Sequence, residues 1–350
     1  MITSHDLPPL ANDLPPVEEI IDRMRVVELP MAVRFRGITT REAALIEGPA
    51  GWAEFSPFLE YGPEEASRWL ACTVEAGWQG LPAPVRNSVP VNATMPAVDA
   101  AAVADGAVEE ILARYDSDGL PGTVKIKVAE RGQTMADDVA RVARVRALLP
   151  HARIRVDANQ GWTHDQALAA LEELGPFDLE YAEQPVPGIE GLARLREALS
   201  ARGLPVRIAA DEAVRKETDP LAVARAGAAD LIVVKAQPLG GPRRALAIVE
   251  QAGLDAVVSS ALDTSVGLRI GAGLAAALPS LPFACGLGTG SLFVKDVADP
   301  PYVARNGALD LCTVDPDPER LEALGVPTAR RTWWEDRLRD SYRVLAAAKN

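Results

Sequence analysis

Between residues 89 and 285 the chain alternates short apolar runs with longer amphipathic stretches. The runs are Val89–Ala93, Val124–Val128, Ile154–Asp157, Leu179–Ala182, Arg207–Ala210, Leu231–Val234, Ala256–Ser259 and Phe283–Cys285, and from the second onward their starts lie about 23 to 30 residues apart. The intervening stretches repeat apolar residues at helical spacing, as in Leu168, Leu171 and Leu174, or Ile189, Leu192, Leu195 and Leu199. Several open on a helix-start signal. Thr163 with Gln166 makes a capping-box pattern, Asp219 precedes Pro220, and Gly241-Pro242 opens a stretch ended by Gly253. Nearly continuous apolar strands with helices between them predict a parallel sheet covered on its faces, and about eight such units suit a closed barrel. The alternative is an open doubly wound sheet, against which the lack of a Gly-x-Gly-x-x-Gly after the first run weighs.

The flanks differ in character. Residues 1–88 show strand-like alternation around Val33 and Phe35, interleaved with Arg34 and Arg36, and then helical patterns. Residues 291–350 are richer in charge and predict a helix around Trp334 to Ala348. Each flank is too short for an independent core, so the two are expected to form one α+β capping domain around a barrel of residues 89–290. The stretch Ile270–Val294 has no charged residue, but Pro279, Pro282 and five glycines make it a buried helix, turn and strand rather than a membrane span.

Charge then narrows the partners. With 36 Lys plus Arg against 49 Asp plus Glu, the net charge of −13 argues against nucleic acid and anionic membranes. Only six of the cations are lysines (125, 127, 216, 235, 295, 349), so where lysine persists is informative. Cys72, Cys285 and Cys312 are odd in number and widely spaced, which suits buried, inert thiols in a reducing compartment. Residues 1–16 are acidic, carry four prolines and lack a basic start with an apolar stretch, so a cytoplasmic protein is expected. A monomer or small homo-oligomer is expected.

Ionisable residues stand at the ends of five successive runs. Lys125 and Lys127 lie in the second run, Asp157 ends the third, Glu183 and Asp211 follow the fourth and fifth, and Lys235 follows the sixth. The spacings of 26, 28 and 24 residues from Asp157 to Lys235 match the strand repeat. In a parallel barrel such strand ends meet at one mouth. Three carboxylates gathered there repel one another unless a cation compensates them, and an all-oxygen set suits Mg²⁺ or Mn²⁺ better than zinc. Residues two apart on a strand share a face, so Lys125 and Lys127 point inward together, with Lys235 approaching from the opposite side. Lysine, unlike arginine, can release its proton and act as a base.

Lys-x-Lys, then Asp157-Ala158-Asn159-Gln160-Gly161-Trp162, Glu183-Gln184-Pro185, Asp211-Glu212 and Lys235 together resemble the muconate-lactonizing subgroup of the enolase superfamily. The histidines, at 5, 151 and 164, fall on no later strand end, which sets aside the mandelate-racemase type. The segments Trp52–Pro57 and Ser259–Gly267, together with Arg155, resemble the actinobacterial o-succinylbenzoate synthase family. That resemblance implies a modified (β/α)₇β TIM-like barrel with a cap, a divalent metal, Mg²⁺ or Mn²⁺, on Asp157, Glu183 and Asp211, and acid/base lysines Lys127 and Lys235. It further implies a small carboxylate substrate and a Mg-dependent syn-dehydration of 2-succinyl-6-hydroxy-2,4-cyclohexadiene-1-carboxylate to 2-succinylbenzoate in menaquinone biosynthesis. Lys125, Arg155, Asn159, Ser259, Ser260, Gly286 and Gly288 are the expected substrate contacts, and Phe35–Thr40 resembles a mobile cap loop. The alternatives are an N-succinylamino acid racemase or dipeptide epimerase, which uses the same two lysines and metal, and a carboxylate-binding barrel without chemistry.

Overall fold

The computed structural model describes residues 7, 8, 10, 13–35, 37–115, 121–214 and 219–348, with the side chains of 33–35 and 219 left aside. Three strands, β1 (Met24–Phe35), β2 (Ile38–Gly48) and β3 (Gly51–Phe55), form an antiparallel sheet in that order. Further along, β4 (Ser88–Pro90) pairs antiparallel with β12 (Ala308–Asp310). The remaining strands make one parallel sheet, β5 (Ala93–Met95), β6 (Thr123–Lys127), β7 (Arg153–Asp157), β8 (Leu179–Glu183), β9 (Ile208–Ala210), β10 (Leu231–Val234) and β11 (Asp255–Val258), each beside the next.

The segment 283–286 closes this curled sheet. The Ser260 N–H donates to the Gly286 carbonyl (3.1 Å), the Gly286 N–H to Val258 (2.8 Å), the Cys285 N–H to Pro90 (2.7 Å) and the Asn92 N–H to Cys285 (2.9 Å). It thereby bridges β11 to the chain between β4 and β5. Tyr181, Ala209, Leu231, Val233, Val257 and Phe283 form a separate buried cluster of inward side chains, the filled barrel interior. Leu168, Leu171, Leu174, Leu192, Leu195 and Leu199 bury the helices' apolar stripes in the larger core, as their spacing predicts. The Thr163 capping box forms reciprocally, with bonds of 3.3 and 2.9 Å, and Gly253 ends its helix at φ +63°.

Two expectations need correction. The first run, Val89–Ala93, is not one strand but the junction of β4 and β5, since Pro90 has no N–H for a ladder and the chain changes partner there. Cys312 is exposed, whereas Cys72 and Cys285 are buried; all three are free. Cys312 lies two residues beyond β12, beside the exposed Thr313.

The charge-free stretch contributes to a thirteen-residue helix, Ser265–Ala277, capped by the Thr264 hydroxyl, which accepts from the Val266 N–H. No helix among the described residues is long and apolar enough to cross a membrane. The terminal helix runs Thr328–Ala347, starting earlier than its pattern suggested, and packs on the helix Pro63–Val74. Its Trp334 is fully buried edge-to-face against Phe55, with centroids 5.9 Å apart, and the indole N–H donates to Glu42 (2.7 Å).

Candidate active site

Strand register brings the ionisable residues together. Lys127 is the partner of Asp157 across β6 and β7, and Asp157 of Glu183 across β7 and β8. One layer deeper the partners are Lys125, Arg155 and Tyr181. Lys125 reaches up from that layer, its Nζ 2.9 Å from Glu183 Oε1 and 3.3 Å from Asp157 Oδ2. Lys127 Nζ lies 2.5 Å from Asp157 Oδ2 and 2.6 Å from Asn159 Oδ1. Across the sheet, Lys235, just past β10, is ion-paired with Asp211, just past β9. Backbone at the ends of β7 and β8 is bent: Asn159 and Gln184 take left-handed φ of +43° and +38°, a strain that persists only where surroundings impose it. Gln184 helps impose it. Its Oε1 accepts from the Asp211 and Ala213 N–H groups (3.0 and 3.1 Å), tying β8 to β9.

Burial and charge set the protonation states. Burial opposes ionisation of Asp157, but the Lys127 and Lys125 ammonium groups outweigh it and hold the carboxyl well below its usual range. Glu183 is pushed up to about 7 by burial and by the charge of Asp157. Burial works against charge on Lys125 too, yet the Glu183 and Asp157 carboxylates raise its pKa well above the ordinary lysine value, so it is a fixed cation. A buried, negative oxygen cluster is what a hard dication requires. Glu183 Oε2 is buried with no hydrogen-bond partner, an acceptor left over after the lysines are satisfied. Among the described residues no group of three or more His, Cys, Asp or Glu stands ready as a metal cage. Lys125 bridges Asp157 and Glu183, and Lys235 covers Asp211, so ammonium groups hold these oxygens.

The other expected residues divide. Asn159 turns to Lys127 and donates to Glu212 (3.1 Å). Ser259 and Ser260 hydroxyls donate to the Gly286 carbonyl, 3.3 Å each, and Ser260 also meets the Thr289 hydroxyl at 2.6 Å. Gly286 and Gly288 permit close packing: an added Cβ would sit 2.5 Å from Ser259 Oγ and 2.7 Å from the Asn92 carbonyl, respectively. Arg155, expected among substrate contacts, is wholly buried. Its guanidinium donates to Glu180, Asn92 and the Ala284 carbonyl and stacks 4.7 Å over Tyr181. Of Phe35–Thr40, Arg36 lies outside the described residues. A cavity of about 210 Å³ opens beside Asp211 and Lys235, and its far wall comes from Phe58, Tyr61, Arg68 and Trp69. Sequence reasoning missed this wall, because nothing in the spacing of residues 58–69 signals that they face a barrel strand end.

Residues 106–317 match the enolase C-terminal domain-like model and residues 26–77 the enolase N-terminal domain-like model. The o-succinylbenzoate synthase of Mycobacterium ulcerans (strain Agy99) is 54% identical over 333 residues, covering 93% of this chain and 95% of that one. The chain belongs to the o-succinylbenzoate synthase family of the enolase superfamily. The Mycobacterium leprae synthase is 52% identical over 337 residues, 95% of each chain. Among solved structures, muconate lactonizing enzyme from Pseudomonas fluorescens, complexed with muconolactone, superposes with a TM-score of 0.71 at 22% identity, covering 87% of this chain and 98% of that one. N-succinyl Arg/Lys racemase from Bacillus cereus gives the same TM-score at 19% identity, covering 87% and 97%. At such identities the likeness speaks for the shared TIM-like barrel and cap alone. The synthase family depends on a divalent metal.

Proposed function

We infer that this chain is an o-succinylbenzoate synthase, a hydro-lyase that removes water from 2-succinyl-6-hydroxy-2,4-cyclohexadiene-1-carboxylate to form 2-succinylbenzoate for menaquinone biosynthesis. The observation that carries the reading, beside family membership, is the opposition of two lysines across a carboxylate floor: Lys127 held by Asp157 and Asn159, and Lys235 on Asp211. Asp157, Glu183 and Asp211 would hold the metal, as the orphaned Glu183 oxygen and the all-oxygen set favour Mg²⁺, with Mn²⁺ its closest substitute. Bound there, a dication supplies Lewis-acid neutralisation of the negative charge that grows on a substrate carboxylate as its α proton leaves.

The chain's own groups then divide the proton work. Lys127 takes the α proton and returns it to the departing hydroxyl, one group serving both steps because a syn elimination presents both bonds on one face. Asn159 and Asp157 aim its Nζ. Lys235 stays cationic and stabilises developing charge from the other face. Lys125, kept charged by Glu183 and Asp157, adds a fixed positive potential beneath the substrate. Arg155 supports the floor from inside the barrel, and Ser259, Ser260 and the 286–288 turn face the succinyl end. The cap of residues 1–88 and 291–350 covers the 89–290 barrel. A cytoplasmic site of action fits the free cysteines.

The test follows loss of diene absorbance with the purified protein and Mg²⁺, then with EDTA and with Lys127→Ala. Turnover lost in both controls is expected. Turnover indifferent to chelation refutes the reading, and equal or faster racemisation of N-succinyl amino acids replaces it with the racemase.

A further inference from the structure

Where the three-stranded cap sheet meets the parallel sheet, a fully buried polar cluster joins it to the loop that follows β11. From β3, Glu54 Oε2 accepts from the Thr264 N–H (3.0 Å), the Thr264 hydroxyl (2.6 Å) and the Gly267 N–H (3.0 Å), while Oε1 accepts from the Ser56 hydroxyl (2.5 Å). A Cβ at position 267 would stand 2.6 Å from that carboxylate, so the helix start accepts Glu54 only because Gly267 has no side chain. From β2, Arg41 donates through Nε to the Leu262 carbonyl (3.1 Å) and through its terminal nitrogen to Ser56 and Ala261. Its guanidinium lies 4.5 Å over the Phe58 ring. Leu262 sits at φ +59°, a conformation unfavourable for a bulky residue, and Arg41 holds its carbonyl. Gln237, two residues beyond Lys235, closes the network by donating to Asp263 (3.0 Å).

The side chains of Arg41, Glu54, Ser56, Gln237, Asp263 and Thr264 are all 5% exposed or less. Burying a carboxylate and a guanidinium is costly, and a well-packed apolar contact would join the two sheets at least as firmly. What the polar cluster does that an apolar patch cannot is fix named backbone groups of residues 261–267. Ser259 and Ser260 lie immediately before that segment, and Ala261 itself lines the cavity beside Lys235.

We propose that Arg41 and Glu54 are positioning residues: the cap, through them, sets the conformation of the strand-end loop 259–264 and so the placing of Ser259 and Ser260 at the barrel mouth. This rests on the synthase reading, under which those serines face the succinyl end.

The experiment compares wild type, Glu54→Gln and Arg41→Lys as full-length, metal-loaded protein. It measures kcat and KM per folded site, Tm, and amide hydrogen exchange across residues 259–267. Both variants are expected to lose about 10- to 100-fold in kcat, the cost of misplacing a reacting geometry, and to exchange the 259–267 amides faster. The Glu54→Gln loss should shrink in a Ser260→Ala background, because the two act on one loop. A purely structural latch gives a lower Tm with kcat per folded site and the kcat/KM balance intact, and that result overturns the proposal; so does unchanged exchange at 259–267. Arg41→Lys keeps the test open should Glu54→Gln not fold, since it retains the charge and loses only the fork. If wild type fails to turn over the diene, the synthase reading falls, while the exchange data still judge the loop's dependence on Glu54.

Discussion

Lys125→Met removes the charge and shortens the side chain by one atom. Lys125 Nζ is 2.9 Å from Glu183 and 3.3 Å from Asp157, which at an effective dielectric near 20 corresponds to gross attractions of about 6 and about 5 kcal/mol. Most of that offsets the burial of the three charges. The residual effect of deleting one partner from such a set is a loss of about 3–5 kcal/mol, because the remaining carboxylates are left uncompensated. Glu183 relieves part of this loss by binding a proton, for which it is already poised near 7 against 4.5 as a free side chain. A carboxyl whose folded pKa is raised binds more protons folded than unfolded, so its stabilising contribution is full below the unfolded pKa and fades as pH rises through the folded one. The metal-free variant is therefore expected to fall furthest below wild type at pH 8 and to approach it near pH 5. Denaturant melts in EDTA at those two pH values measure this gap, and Mg²⁺ should narrow it by replacing the missing positive charge. A variant as stable as wild type at pH 8 in EDTA, or a gap that widens as pH falls, refutes the charge compensation argued for this site.

Lys235→Met should lower kcat by about 10²–10⁴-fold, as should Lys127→Ala, while Mg²⁺ still raises the Tm of each; steady-state assays and thermal melts separate the two effects. Asp263, pushed up to about 7 by burial and by Glu54, makes wild type lose stability as pH rises from about 4 to 7. Asp263→Asn should remove a slope of up to about 1.4 kcal/mol per pH unit from that window, read by urea melts across pH. Trp334→Ala empties a fully buried site against Phe55 and takes the indole N–H from Glu42, which keeps Arg330, so a loss of about 3–5 kcal/mol by denaturant melts is expected.

The strands β6 to β11 lie where the apolar runs placed them, within a residue or so at each end, because a strand buried on both faces must be apolar throughout. The break at Pro90 and the exposure of Cys312 were not legible, since both depend on which distant segment comes to lie alongside.

For the site, the spacing put Lys127, Asp157 and Glu183 side by side, because equivalent positions on consecutive parallel strands are neighbours by register. Periodicity and residue type are local, and in a repeating fold local properties propagate across the molecule. The roles of Arg155, Arg41 and Glu54 are of the other kind. Whether an arginine meets substrate or Glu180, Asn92 and Tyr181 depends on which side chains converge inside the closed barrel. Whether a strand glutamate is solvated or receives the Thr264 and Gly267 N–H groups depends on how the cap docks. The contacts of Arg41 and Glu54 join residues more than two hundred positions apart, and no pattern along the chain encodes a distance between segments that only packing brings together.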